Sequence, residues 1–163
     1  MTALDNPSVQ RVQAALVAAG STAQIMALAE TARSAEDAAR SIGTALGSIV
    51  KSLVFTIEGR AVMALIAGDR RCDIAVLPSA LGLAGKAKRA DAELVRAATG
   101  FAIGGVAPIG HPNKLPIAID ASLGRFQTVY AAAGHPHCVF PTSLDELMRL
   151  TGGVVTSALG IEA

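Results

Sequence analysis

Between residues 7 and 19 the apolar positions Val9, Val12 and Leu16 recur at helical spacing, with Asn6-Pro7 as a start signal and Gly20 as a stop. This predicts a first helix. Residues 24–28 are short and apolar and predict a strand, after which Ser34 and Asp37 give the capping signal of a helix ending near Gly43. The pattern then changes. The run SIVKSLVFTI at 48–57 is rich in β-branched residues and connects through Glu58-Gly59 to a second apolar run at 61–66, which predicts a β-hairpin.

Residues 73–83 fit a strand at Ile74, Val76 and Leu77 and a helix at Ala80, Leu81 and Leu83; with Pro78 disturbing both, the expectation is a helix from about Ser79. Asp91 caps a helix carrying Leu94, Val95 and Ala98 on one face, and Gly100 ends it. Strands are expected at 115–119, 127–132 and 137–140, then a helix from the capping box Ser143…Glu146 to Gly152, then a last strand at 154–157. Helices and strands intermix without a regular βαβ beat. The expected fold is therefore α+β, with a curved, mixed or largely antiparallel sheet.

At 163 residues the chain reads as one domain spanning 1–163. Hydrophobic residues make up 52% of it and aromatics only 3%, so the core must be aliphatic and base-stacking on an aromatic sheet is excluded as the main grip on nucleic acid. A formal charge of +1 means that any contact with a polyanion must be local. The opening MTALDNPSVQ lacks the basic and apolar regions of a leader, which makes the cytoplasm the expected location. Cys72 and Cys138, far apart and outside any Cys-x-x-Cys spacing, read as free thiols.

The stretch TGFAIGGVAPIGHPNKLP, residues 99–116, concentrates four glycines and three prolines. It lacks the spacing of a P-loop or a dinucleotide-binding loop. Gly100 ends a helix, but Gly104-Gly105-Val106-Ala107-Pro108 can align several backbone N–H groups into a site for a carbonyl oxygen or oxyanion. Lys51, inside an apolar strand, either snorkels from an edge to water or points into a cleft to hold an anion.

Alternation in GHPHC puts His135 and His137 on one strand face, and with His111 beside the loop this raises a metal site as an alternative, although no carboxylate or cysteine cluster completes it. No nucleophile signature is present, and Ser41, Ser48, Ser52 and Ser79 sit where capping or turn roles suffice. Asp120, between a strand and a helical turn, reads as a cap and as a candidate substrate-binding carboxylate.

The segments IVKSLVF at 49–55, KAKRADAELVRAATGFAIGGVAPIGHP at 86–112, LPIAIDASL at 115–123 and GHP at 134–136 together resemble the YbaK/ProX family, free-standing relatives of the editing domain of bacterial prolyl-tRNA synthetases. The most specific motif is G-x-x-x-P, here Gly104 to Pro108. The resemblance implies a curved, barrel-like mixed sheet surrounded by helices. It also implies hydrolysis of the ester joining a small, wrong amino acid to the end of a tRNA, with tRNA(Pro) as the expected carrier and with no cofactor and no metal.

By the same resemblance, Gly104, Gly105, Val106, Ala107 and Pro108 hold the carbonyl and its oxyanion, Lys51 anchors the terminal phosphate or ribose, and His135 lines the aminoacyl site. Ile103, Ile109, His137 and Asp120 are the expected substrate contacts. Lys86, Lys88, Arg89 and Lys114, with Arg70 and Arg71, are the expected grip on the acceptor end, and prolyl-tRNA synthetase is an expected partner. An aminoacyl ester is already activated, so positioned water, a backbone oxyanion site and the ribose hydroxyl suffice. The competing class is a non-catalytic module that binds a nucleotide or acceptor end in the same cleft.

Overall fold

The computed structural model describes residues 2–163. Five helices and ten strands follow one another in the order α1 (Pro7–Ala18), β1 (Met26–Ala27) reached through a loop, α2 (Ala35–Ile42), β2 (Ile49–Ile57), β3 (Arg60–Ala67), β4 (Arg70–Cys72), α3 (Leu77–Leu81), β5 (Ala87–Arg89), α4 (Ala92–Thr99), β6 (Ile117–Asp120), β7 (Val129–His135), β8 (Cys138–Thr142), α5 (Leu144–Thr151), β9 (Val154–Thr156) and β10 (Gly160–Glu162).

The main sheet runs β1-β8-β7-β2-β3-β6-β9, with β5 on the free flank of β2, while β4 and β10 form a separate antiparallel pair. Pairings β2·β3, β7·β8, β1·β8 and β2·β5 are antiparallel, and β2·β7, β3·β6 and β6·β9 are parallel. The fold is thus the expected α+β arrangement of a mixed, largely antiparallel sheet with helices around it. Its strand path does not return on itself, so the sheet is open and the barrel-like closure is not realised.

Side chains divide by face. On one side Val50, Val54, Met63, Leu65 and Ala131 pack with Val9, Val12 and Leu16 of α1 and with Phe101, Val106 and Ala107. On the other, Phe55, Ile57, Val62 and Ile66 pack with Leu77 and Leu159. Strand alternation places even- and odd-numbered residues of β2 on opposite faces.

α3 begins at Leu77, before the expected Ser79, and tolerates Pro78 because the first turn of a helix needs no N–H there. The strands β4, β5 and β10 carry no alternating pattern and are not foreseen in the sequence. His135 and His137 do not alternate along one strand: β7 ends at His135, β8 begins at Cys138, and Pro136-His137 form the turn between them. Ser52 lies within β2, so neither a cap nor a turn accounts for it. Among the described residues no helix is long and apolar enough to cross a membrane.

Candidate active site

β2 is paired from Val50 to Ile57 with β3, but its other flank is interrupted. β7 covers Ile49 and Val50, β5 covers Phe55 to Ile57, and Ala90 N–H donates to Val54 O at 3.2 Å. Lys51, Ser52 and Leu53 have no strand partner on that flank. Because main-chain groups alternate in direction along a strand, Ser52 turns its N–H and C=O the same way as Val54, into the opening.

The loop after α4 closes over this opening. Asp91 caps α4 by accepting from Leu94 N–H at 2.8 Å, and Gly100 ends it in the left-handed conformation. Thr99 Oγ1 donates to Val95 O at 2.7 Å and accepts from Phe101 N–H at 3.1 Å. Arg11 of α1 donates to Gly100 O at 2.8 Å and lies 4.4 Å above the Phe101 ring. His111 Nε2–H donates to Ala107 O at 2.7 Å, and desolvation of that ring lowers its pKa below the ordinary histidine value. Both ends of the glycine segment are therefore tied to the body of the protein.

Within the segment, Gly104 has φ +95°, open to glycine and strained for other residues. Gly105 sits so close to β7 that a Cβ there would lie 2.9 Å from His135 N and Cα. Gly105 N–H donates to Ala102 O at 3.0 Å, and Pro108 has no N–H. The N–H groups of Gly104, Val106 and Ala107 meet no acceptor among the described residues, although Val106 and Ala107 are buried. Of these, Gly104 and Val106 border the cleft, whereas Ala107 is fully buried and borders no cavity.

Two adjoining cavities share Ser52, Leu53, Ile103, Gly104 and Val106 as walls. The smaller, about 100 Å³, adds Val95, Ala90 and Arg89. The larger, about 290 Å³, adds Lys51, Ala35, Ala38, Tyr130, Ala132 and Pro136. Lys51 also borders an open groove of about 820 Å³ that carries Arg70, Arg71 and Arg89 together with Glu36 and Asp73. Lys51 Nζ donates to Arg70 O, which leaves two of its three N–H bonds for a ligand. Cys72, in the same groove, has its thiol pushed up to about 11 by burial and by Asp73, so it stays protonated at neutral pH.

The structure brings together Lys51, Ile103, Gly104, Val106 and Arg89. His135 meets Gly105 through its backbone, while its Nδ1 accepts from His137 N–H at 3.0 Å and the two rings pack edge-on at 5.3 Å. Among the described residues no three His, Cys, Asp or Glu side chains cluster as metal ligands would.

Other expected contacts lie elsewhere. Asp120 is 1% exposed, and its carboxylate accepts from Ala67 N–H, Ser122 N–H and Ser122 Oγ at 2.8–3.1 Å; it is spent inside the fold and does not face the cleft. Pro108, Ile109 and Lys114 border a different depression beside Gly152, because the chain turns away from the cleft after Val106. Lys86 and Lys88 flank the turn of the first hairpin, next to Glu58. Tyr130 lines the cleft without having been singled out, and Ser52 and Pro136 line it although the sequence assigns Ser52 a cap or turn role and Pro136 no role of its own, since only the pairing of distant strands carries them there.

A family model described as the aminoacyl-tRNA editing domain matches residues 29–150. The chain is 36% identical over 117 residues to "Uncharacterized protein YwhH" of Bacillus subtilis (strain 168), covering 71% of this chain and 73% of that one. It is 29% identical over 122 residues, 74% and 73% of the two chains, to the Enterococcus faecalis protein named "Putative Cys-tRNA(Pro)/Cys-tRNA(Cys) deacylase EbsC". A crystal structure described as "a putative trans-editing enzyme for prolyl tRNA synthetase" superposes with a TM-score of 0.89 at 40% identity, covering 95% of this chain and 98% of that one.

Proposed function

The chain belongs to the aminoacyl-tRNA editing domain family, and on that premise we propose that it is a single-domain trans-editing deacylase removing a small, wrongly attached amino acid from tRNA, with tRNA(Pro) as the carrier. Its activity is that of an aminoacyl-tRNA hydrolase. The observation that carries the reading is the meeting, at Lys51, of a small aliphatic cleft walled by Gly104 and Val106 and a groove that carries three arginines.

In this reading the aminoacyl side chain enters the cleft and its carbonyl oxygen rests against the N–H groups of Gly104 and Val106. Water attacks the carbonyl carbon, and the N–H groups hold the negative charge that develops on oxygen. The bond to the ribose 3′ oxygen then breaks, that oxygen takes a proton, and the products are a free amino acid and a tRNA with a free 3′ hydroxyl. The vicinal ribose hydroxyl orients the water, so no side-chain nucleophile is needed. Lys51, Arg70, Arg71 and Arg89 hold the terminal nucleotide's phosphate, and the +1 chain needs no wider basic face. A cytoplasmic enzyme acting on tRNA released by prolyl-tRNA synthetase fits this role.

The test is a panel of tRNA(Pro) charged with alanine, 2-aminobutyrate, serine, threonine, cysteine or proline, measuring release of amino acid. Release of at least one small amino acid, with prolyl-tRNA spared, is expected. Tight binding with no release across the panel would instead favour the non-catalytic binding module.

A further inference from the structure

Both ends of the glycine segment, and the end of β7 that it abuts, converge on helix α1, which precedes the residues 29–150 matched by the family model. Where the segment begins, Arg11 donates to Gly100 O at 2.8 Å. Where it leaves the cleft, a side-chain carbon on Gly110 would lie 3.5 Å from the Phe101 ring and 3.9 Å from both Ala15 Cβ and Arg11 O. On β7, a side-chain carbon on Gly134 would lie 2.7 Å from Ser8 O, one residue before the His135 backbone that Gly105 meets. Ser8, Arg11 and Ala15 are three and four positions apart and so share one stripe of the helix.

The Arg11 guanidinium lies 4.4 Å above the Phe101 ring, which is 1% exposed and meets the His111 ring edge-on at 6.2 Å. Gly100 leaves room for it, since a Cβ there would lie 2.5 Å from a guanidinium nitrogen. Arg11 borders neither cavity of the cleft nor the groove that carries the arginines. We infer that Arg11 is a positioning residue for deacylation: from outside the cleft it holds Gly100 and Phe101 against α1 and thereby fixes Gly104 and Val106 in the cleft wall. This rests on the deacylase reading above. Backbone donors stabilise a developing oxyanion only if they are in place before it forms, and a charge-assisted hydrogen bond with a cation stacked on the same turn holds them more firmly than neutral contacts do.

The experiment compares the wild type with Arg11→Met, which keeps the aliphatic stem but neither charge nor donor, and Arg11→Lys, which keeps the cation. On the ester of the tRNA(Pro) panel that the wild type releases fastest, kcat and KM are measured well below each melting temperature, together with the salt dependence of tRNA binding and the backbone amide resonances of the folded proteins. Arg11→Met is expected to lower kcat about tenfold, the scale of one charge-assisted contact, while KM and the salt slope stay as in the wild type. The amide resonances of Gly104 and Val106 should move and that of Lys51 on β2 should not. Arg11→Lys should recover most of the rate and bring both resonances back toward their wild-type positions.

A lower melting temperature in Arg11→Met with kcat and both resonances unchanged would overturn the inference and leave Arg11 a purely structural contact. A raised KM with a shallower salt slope and constant kcat would overturn it as well, by placing the guanidinium on the tRNA backbone. Release of no amino acid by the wild type would instead remove the deacylase reading, and with it the reaction that Arg11 serves.

Discussion

Gly105 and His135 touch through their backbones: a side-chain carbon on Gly105 would come within 2.9 Å of both N and Cα of His135. Neither strand β7 nor the segment can yield by rotating a side chain. Gly105→Val is therefore expected to push Gly104 and Val106 out of place in the cleft wall and lower kcat/KM by about a hundredfold, the scale seen when oxyanion donors are removed. Deacylation kinetics with a circular dichroism melt check this, and full activity in a folded variant would remove the segment from the site.

Lys51 is tied to Arg70 O yet faces both the cleft and the basic groove. Lys51→Ala is expected to lower deacylation at least tenfold and to flatten the salt dependence of tRNA binding by about one phosphate contact. Lys51→Arg should restore the salt dependence better than the rate, because a planar guanidinium replaces a compact ammonium. Filter binding across a salt series, paired with single-turnover rates, separates the two effects.

Asp120 serves the fold. Asp120→Ala leaves the Ala67 N–H without its partner in a buried setting and should cost about 2–3 kcal/mol of stability. Denaturant unfolding measures it. Activity per folded molecule should be unchanged, which would separate Asp120 from the substrate contacts.

His111 makes the loop acid-sensitive. Burial is the main cause holding its pKa below 6.5, with Arg11 adding repulsion and the Ala107 carbonyl working in the opposite direction. The unfolded chain therefore takes up this proton at a higher pH than the folded one, and the contribution to stability falls as pH drops through 6.5 toward the lowered folded value. Replacing His111 by Gln should make the melting temperature less steep between pH 7 and pH 5 than in the wild type. An identical slope would show that the ring is not shielded.

The helices were legible because their signals are local. Asn6, Ser34, Asp91 and Ser143 each cap the helix that the sequence assigns to them. The first hairpin was legible for the same reason, its two runs being joined by Glu58-Gly59. β4 and β10 pair residues 70–72 with 160–162, and nothing in Arg70-Arg71-Cys72 signals a partner so distant in the chain. The site follows this division. The glycine segment and Lys51 stand out by residue type, whereas Ser52 and Tyr130 become site residues only once β7 and β5 leave a gap between them on β2.

That gap has a consequence for how molecules of this protein behave toward one another. An uncovered strand edge is a template for the strand of a neighbouring copy, and the usual safeguards are shortness and charge. Here the bare stretch is only Lys51 to Leu53, and it begins with an ammonium group. The glycine segment that closes over the opening adds a third safeguard, because no strand of a second copy reaches these main-chain groups without displacing Ile103, Gly104 and Val106.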